Sequence, residues 1–196
     1  MKMNIRITMM GLAILLSVSL SLILQPTTFS ANNTNQGQGN NMATVFDDWG
    51  ASFQLPSSKW IFIGERDNDK AATSVFTYFR KGLIDSSNEP IYPNINFIFE
   101  KIPKNMDVAS YSKQSLKRVP IQIKSRFTAA DGLISLKNAL GFIGTYVDPE
   151  RKEHTVVLVH AVSAGKGMQV AMDVTTELSS QVTNEFYSVL RSLTFN

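Results

Sequence analysis

Three kinds of hydrophobic pattern divide the chain. Ile7 to Leu24 is an uncharged run of 18 residues preceded by Lys2 and Arg6. Residues 31–44 (ANNTNQGQGNNMAT) carry no charge, and Met42 is their one strong apolar residue. From Val45 to Asn196 short apolar stretches alternate with polar turns, which predicts a folded body. It shows no internal repeat.

Within the body, Phe46 to Leu55 predicts a short aromatic-rich strand stopped by Pro56, and Trp60 to Ile63 a second extended piece. Glu65 to Lys70 reads as a polar turn. Thr73 to Lys81 alternates with Val75, Thr77 and Phe79 on one face, and Ile95 to Phe99 alternates more clearly. Asp107 stands at an N-cap position, where its carboxylate accepts from the free amides of a first helical turn. Val108, Tyr111, Ser115, Leu116 and Val119 then recur at helical spacing, and Pro120 ends the element.

Ile121, Ile123 and Phe127 suggest another short strand, and Asp131-Gly132 a hairpin turn into a strand at Leu133 to Leu136. Phe142 to Val147 follows, and Asp148 to Glu150 turns the chain. Thr155 to Val162 is the most continuously apolar strand and belongs in the middle of a sheet. Met168, Val170, Met172 and Val174 alternate with Gln169, Ala171, Asp173 and Thr175, which predicts a strand with one buried face. Val182, Phe186, Val189, Leu190 and Leu193 form the clearest amphipathic stripe, on a helix from Leu178 to Leu193 with Ser179 or Ser180 as its cap. Hairpin-length links between strands predict an α+β fold: an antiparallel β-sheet flanked by two helices.

The first two segments decide where this body works. A positive start, an apolar run and small residues at Thr28 and Ser30 are the order of a secretory signal, so residues 1–30 are expected to be cleaved off after Ser30. The alternative is an uncleaved anchor, because 18 residues reach the ~17–25 of a membrane span. Both readings leave the N-terminus in the cytoplasm and export the body, to be extracellular, periplasmic or anchored facing outside. Residues 31–44 cannot bury enough surface to offset their ordering entropy and read as a flexible linker. Asn32-Asn33-Thr34 within them matches a glycosylation sequon, a pattern that Asn-rich stretches produce by chance.

Composition narrows the function classes. The 196 residues suit one domain, 45–196, plus a targeting segment. None is Cys, which excludes disulfides, thiolate metal sites and a cysteine nucleophile. The formal charge is +3, but Lys2 and Arg6 both lie in the leader, and the body is left at about +1. That balance argues against nucleic acid as a partner, which calls for a clustered basic face.

Element order and aromatic positions together resemble the PsbP-like family over residues 46–195. The shared features are Phe53-Gln54-Leu55-Pro56 followed by Trp60, and a strand ahead of the Val108/Tyr111 helix. A Gly144-Thr145-Tyr146 strand, two long paired strands and a terminal helix ending Leu190-Arg191-Ser192-Leu193-Thr194-Phe195 complete them. The resemblance implies an α/β/α sandwich around an antiparallel sheet, and a fold that hosts binding more than catalysis. Plant and cyanobacterial members are extrinsic lumenal subunits that assist the oxygen-evolving complex, bind partner proteins and influence calcium and chloride retention. One nuclear relative binds a small GTPase, and many bacterial and archaeal members are exported.

Glu65, Asp67 and Asp69 could gather round calcium, but an EF-hand loop from Asp67 needs Gly and Glu where Ala72 and Tyr78 stand. His154 and His160, six apart in one strand, share a face at a separation of about 20 Å, too far to ligate one metal. His160 is expected as a core histidine with a satisfied hydrogen bond, and His154 as exposed in a polar hairpin. Val162-Ser163-Ala164-Gly165 lacks the Gly-x-Ser-x-Gly elbow of a hydrolase, and Gly165-Lys166-Gly167 lacks the Walker spacing and reads as a turn.

Lys113, Lys117, Arg118 and Lys124 form the one notable basic cluster. Lys113 and Lys117 lie four apart on the outer side of the first helix, as a solvated face or as a docking face for an anionic partner or membrane surface. Tyr78, Phe79, Phe97 and Phe99 are expected in the core. Tyr92, between Pro90 and Pro93 in a loop, is the aromatic that could anchor a partner.

The expectation is an exported, non-catalytic binding or assembly module for a protein partner, without catalytic residues or a cofactor. Tyr92, Lys113 and Lys117 are its candidate contacts. The alternatives are an accessory protein that binds calcium, manganese or a small molecule through acidic loops near Asp67 and Asp148, and a hydrolase.

Overall fold

The computed structural model describes residues 43–68 and 72–196. The expected leader, most of the expected linker, and Asp69 lie outside the described residues. In chain order the strands are β1 (Ala43–Phe46), β2 (Ala51–Gln54), β3 (Trp60–Asn68), β4 (Thr73–Arg80), β5 (Leu83–Ile84), β6 (Pro90–Ile91) and β7 (Asn94–Lys101). Helix α1 (Val108–Leu116) follows, then β8 (Gln122–Phe127), β9 (Ala139–Val147), β10 (Glu153–Ser163) and β11 (Lys166–Thr175). Helix α2 (Ser179–Ser192) and β12 (Thr194–Phe195) come last.

Seven strands make one antiparallel sheet in the order β3-β4-β7-β11-β10-β9-β8. β1, β2 and β12 form a small second sheet, and β5 and β6 a short ladder. The apolar β10 and its partner β11 lie inside the large sheet, as expected from the run Thr155 to Val162. Their hairpin turns on Ala164 and Gly165, both left-handed with φ of 48° and 80°. A two-residue loop needs that conformation if its twist is to match the strands.

Alternation along the strands sorts side chains to two faces. One face carries Phe76, Tyr78, Phe97, Phe99, Met168, Val170, Met172, Val157 and Val159 against α2 and the small sheet. There Phe53 of β2 stacks on Phe97 of β7 with ring centroids 4.2 Å apart. Each such fully buried apolar side chain contributes roughly 1.5–3 kcal/mol. The other face carries Phe142, Val156, Leu158 and Ala171, and the stretch from Leu116 to Ile123 packs on it. The result is the α+β sandwich predicted for the body, with one helix to each face of an antiparallel sheet.

Several local expectations are corrected. Ala43 and Thr44 pair with Gln54 and Phe53, so the body starts at least two residues before Val45. Phe46 to Leu55 is two strands joined by a short turn over Asp47–Trp49. Glu65 to Asn68 continue β3 opposite Thr73 to Phe76; their polarity reflects exposure at the sheet edge.

Asp131-Gly132 ends a single 3-10 turn over Ala129–Asp131 and leads into irregular chain, without a strand at Leu133 to Leu136. Ser135 is instead tied to α2, its hydroxyl donating to the carbonyls of Leu190 and Leu193. Helix α1 stops at Leu116, ahead of Pro120. Neither Ser179 nor Ser180 caps α2: the helix starts at Ser179, whose hydroxyl donates back to the Thr176 carbonyl at 2.8 Å. β11 is buried on both faces: on the second, Ala171 packs with Leu116 and Val119, Gln169 bonds Glu100, and Asp173 is covered by Tyr146 and His154.

Candidate functional site

Helix α1 brings two of the expected contact residues to one place. Asp107 caps the helix, its carboxylate accepting from Ser110 N at 2.6 Å. Tyr111, Ser112 and Ser115 face the sheet, and Lys113 and Lys117 point outward and are exposed. Both lysines line a cleft of about 650 Å³ between α1 and the β8–β9 edge. The register Arg126↔Phe142 sets Arg126 on the same face of the sheet, with its guanidinium 5.9 Å from the Phe142 ring centre. Arg126 and Phe142 complete a basic-rimmed, apolar-floored cleft that the linear sequence did not show. Arg118 turns away to Glu100 at 3.1 Å, and Lys124 donates to Gln122.

Tyr92 follows β6 and is 49% exposed; Ile84 on β5 is 60% exposed. In the short ladder Leu83 pairs with Ile91 and Ile84 with Pro90. Leu83 is buried, so its neighbour Ile84 takes the outward side. This hairpin is held from several directions. The Asp85 carboxylate accepts from Ser87 N at 2.9 Å and Glu89 N at 2.8 Å, and from Lys152 Nζ at 2.7 Å. Ser86 N and Oγ donate to Glu177 at 2.9 and 3.0 Å. The Lys152 hydrogen bond, foremost, and the backbone donors hold the Asp85 carboxyl below its ordinary pKa. Tyr92 shares no lining residue with the cleft, so the expected contacts fall into two separate places.

A third polar cluster contradicts the expected exposure of His154. Its side chain is 13% exposed, with Nδ1 2.9 Å from Asp173 and Nε2 3.4 Å from Asp148. The ring stacks on Tyr146 with centroids 4.7 Å apart, and the Tyr146 hydroxyl donates to Asp173 at 2.9 Å. Burial pulls the His154 pKa down, but the hydrogen bonds and charges of Asp173 and Asp148 outweigh it, and the net shift is upward. Sequence reading missed this group because its members sit on three strands and a turn.

His160 is in the core as expected, between the rings of Tyr111 and Phe142. Contrary to the expected satisfied hydrogen bond, neither ring nitrogen makes a well-formed one, and the nearby Gln169 side chain only partly offsets the burial. Its cross-strand neighbour Gln169 donates to Glu100 at 3.2 Å instead, and Tyr111 donates to the same carboxylate at 2.7 Å. Burial pushes the His160 pKa down to about 4. A histidine with no exposed surface does not reach a substrate, so His160 and Ser163 do not form a hydrolase pair.

Asp67 lies in β3 opposite Ser74, and Asp148 Oδ1 already accepts from Lys152 N while its Oδ2 lies 3.4 Å from His154 Nε2. Among the described residues, no three His, Asp or Glu side chains are placed to hold a metal ion. No described helix is long and apolar enough to cross a membrane.

No protein-family model and no curated protein matches the chain. Similarity to solved structures is found. The solution structure of cyanobacterial PsbP (CyanoP) from Synechocystis sp. PCC 6803 superposes with a TM-score of 0.52 at 13% identity, over 85% of this chain and 98% of that one. LpqN of Mycobacterium tuberculosis, involved in cell envelope biogenesis, gives a TM-score of 0.47 at 16% identity, over 81% of this chain and 92% of that one. A Bacteroides thetaiotaomicron protein gives 0.44 at 11% identity, over 75% of this chain, which spans only 45% of that protein. At these identities the likeness speaks to the fold alone, and the fold it supports is PsbP-like.

Proposed function

We propose that this domain is a non-catalytic module that works outside the cytoplasm and binds a protein partner through the β5–β6 hairpin. The observation that carries the reading is the pairing of exposure with fixation. Ile84 and Tyr92 present apolar surface to solvent on a hairpin fastened through Asp85 to Lys152 and through Ser86 to Glu177. Apolar anchors held in place before binding lose little freedom on contact, which is how a small patch gains affinity. The outside location rests on the signal-like order of Lys2, Arg6 and the run Ile7 to Leu24.

The test is affinity capture from a native envelope fraction with the wild-type chain and with Ile84→Ser/Tyr92→Ala. A protein retained by the wild type and lost by the variant supports the reading. Identical captures, or recovery of the mature chain from the cytosol, would count decisively against it.

A further inference from the structure

We infer that the cleft between α1 and the β8–β9 edge is a binding site for a small amphipathic carboxylate: a hydrocarbon body with a single anionic head. Its volume of about 650 Å³ falls within the roughly 300–1,000 Å³ of small-molecule sites. Leu116, Leu140 and Phe142 supply an apolar floor. Around it stand Lys113, Lys117 and Arg126, against one acid, Asp131. That acid is already engaged, its carboxylate accepting from Thr128 N at 2.7 Å and Oγ1 at 3.2 Å. None of the three cations forms an ion pair with a described residue. The rim therefore complements an anion.

One contact sets the chemistry. The Arg126 guanidinium is held over the Phe142 ring at 5.9 Å, where its planar fork can meet a carboxylate whose hydrocarbon lies along Leu116 and Leu140. The cleft shares no residue with the β5–β6 hairpin, so this inference stands or falls apart from the partner reading.

The probe is laurate, titrated calorimetrically into the full chain below its micellisation threshold, with dodecanol and dodecyltrimethylammonium as neutral and cationic counterparts. Saturable binding of laurate, at least about tenfold tighter than either counterpart, is expected. Arg126→Gln and Lys117→Gln should each weaken it by about tenfold, the usual effect of losing a charged hydrogen bond. Ala109→Trp, at an exposed position on the cleft wall, should block it with the melting temperature unchanged. No saturable laurate binding, equal binding of dodecanol, or indifference to these substitutions would overturn the inference. So would co-sedimentation with phosphatidylglycerol vesicles that the same substitutions abolish while laurate stays silent, because the cleft would then serve a membrane surface.

Discussion

The Arg80 guanidinium grips the Glu185 carboxylate with two nitrogens, Nη2 to Oε1 at 2.8 Å and Nε to Oε2 at 3.0 Å, and so fastens α2 to the large sheet. Trp60 Nε1 donates to the same carboxylate at 2.6 Å. The Arg80 side chain is 6% exposed. Glu185→Ala strands that charge under α2 and is expected to cost about 3 kcal/mol in urea denaturation. Burial raises the Glu185 pKa, but the hydrogen bonds from Arg80 and Trp60 outweigh it and the net shift is downward. Its contribution is therefore complete above the ordinary carboxylate value and fades as pH falls through the lowered folded value.

His154 works with the opposite sign. Its pKa is raised in the folded state, so the stability it adds is fully present below the ordinary histidine value and is lost as pH rises through the raised one. Urea midpoints measured from mildly acidic to mildly alkaline pH should decline over that interval in the wild type. His154→Gln should flatten the decline, and an undiminished slope would show that another group is responsible.

His160 opposes His154 along the same strand. With its pKa pushed down to about 4, it stays neutral in the fold while the unfolded chain takes up a proton. This destabilises the fold progressively as pH drops from the ordinary histidine value toward the lowered one. Neither ring nitrogen makes a well-formed hydrogen bond, so His160→Leu should stabilise by about 1–2 kcal/mol at neutral pH and by more in mild acid. A loss of stability at both pH values would mean that the ring's packing against Tyr111 and Phe142 outweighs its unmet polarity.

At Gly167 the Tyr111 ring of α1 lies directly against the backbone of β11. A Cβ there would stand 2.6 Å from Tyr111 Cζ and 2.8 Å from its hydroxyl oxygen. Tyr111 is fully buried and donates to Glu100, so it has no room to withdraw. Gly167→Ala should cost about 1–3 kcal/mol by overpacking. Double substitution with Tyr111→Phe should recover part of that, because the hydroxyl is one of the clashing atoms.

The layers were legible because local signals and burial agreed. Asp107 before an apolar stripe marked α1, the apolar run Thr155 to Val162 marked an inner strand, and Val182 through Leu193 marked the face of α2. Failures came where tertiary contact supplied what composition withheld. Glu65 to Asn68 read as a turn because an edge strand keeps polar side chains. Ile134 read as strand although it is buried in irregular chain whose next residue, Ser135, bonds to α2.

β11 read as half-polar because its second face satisfies its own polar residues: Gln169 with Glu100, and Asp173 with Tyr146 and His154. Of the cleft, only Lys113 and Lys117 could be seen. Arg126 joins them because a one-residue shift in β8, between Ile123 and Ser125, turns it toward the α1 side. No linear pattern encodes that.

Both outer strands of the large sheet carry such a shift, β8 between Ile123 and Ser125 and β3 between Phe62 and Gly64. An irregular border studded with Lys124, Arg126, Glu65, Arg66 and Asp67 offers a visiting backbone no straight row of amides and carbonyls to continue. Lateral extension into ribbons or fibrils is disfavoured on both sides, and so is recruitment of an extended peptide as an eighth strand. At these two edges a partner meets side chains before it meets backbone.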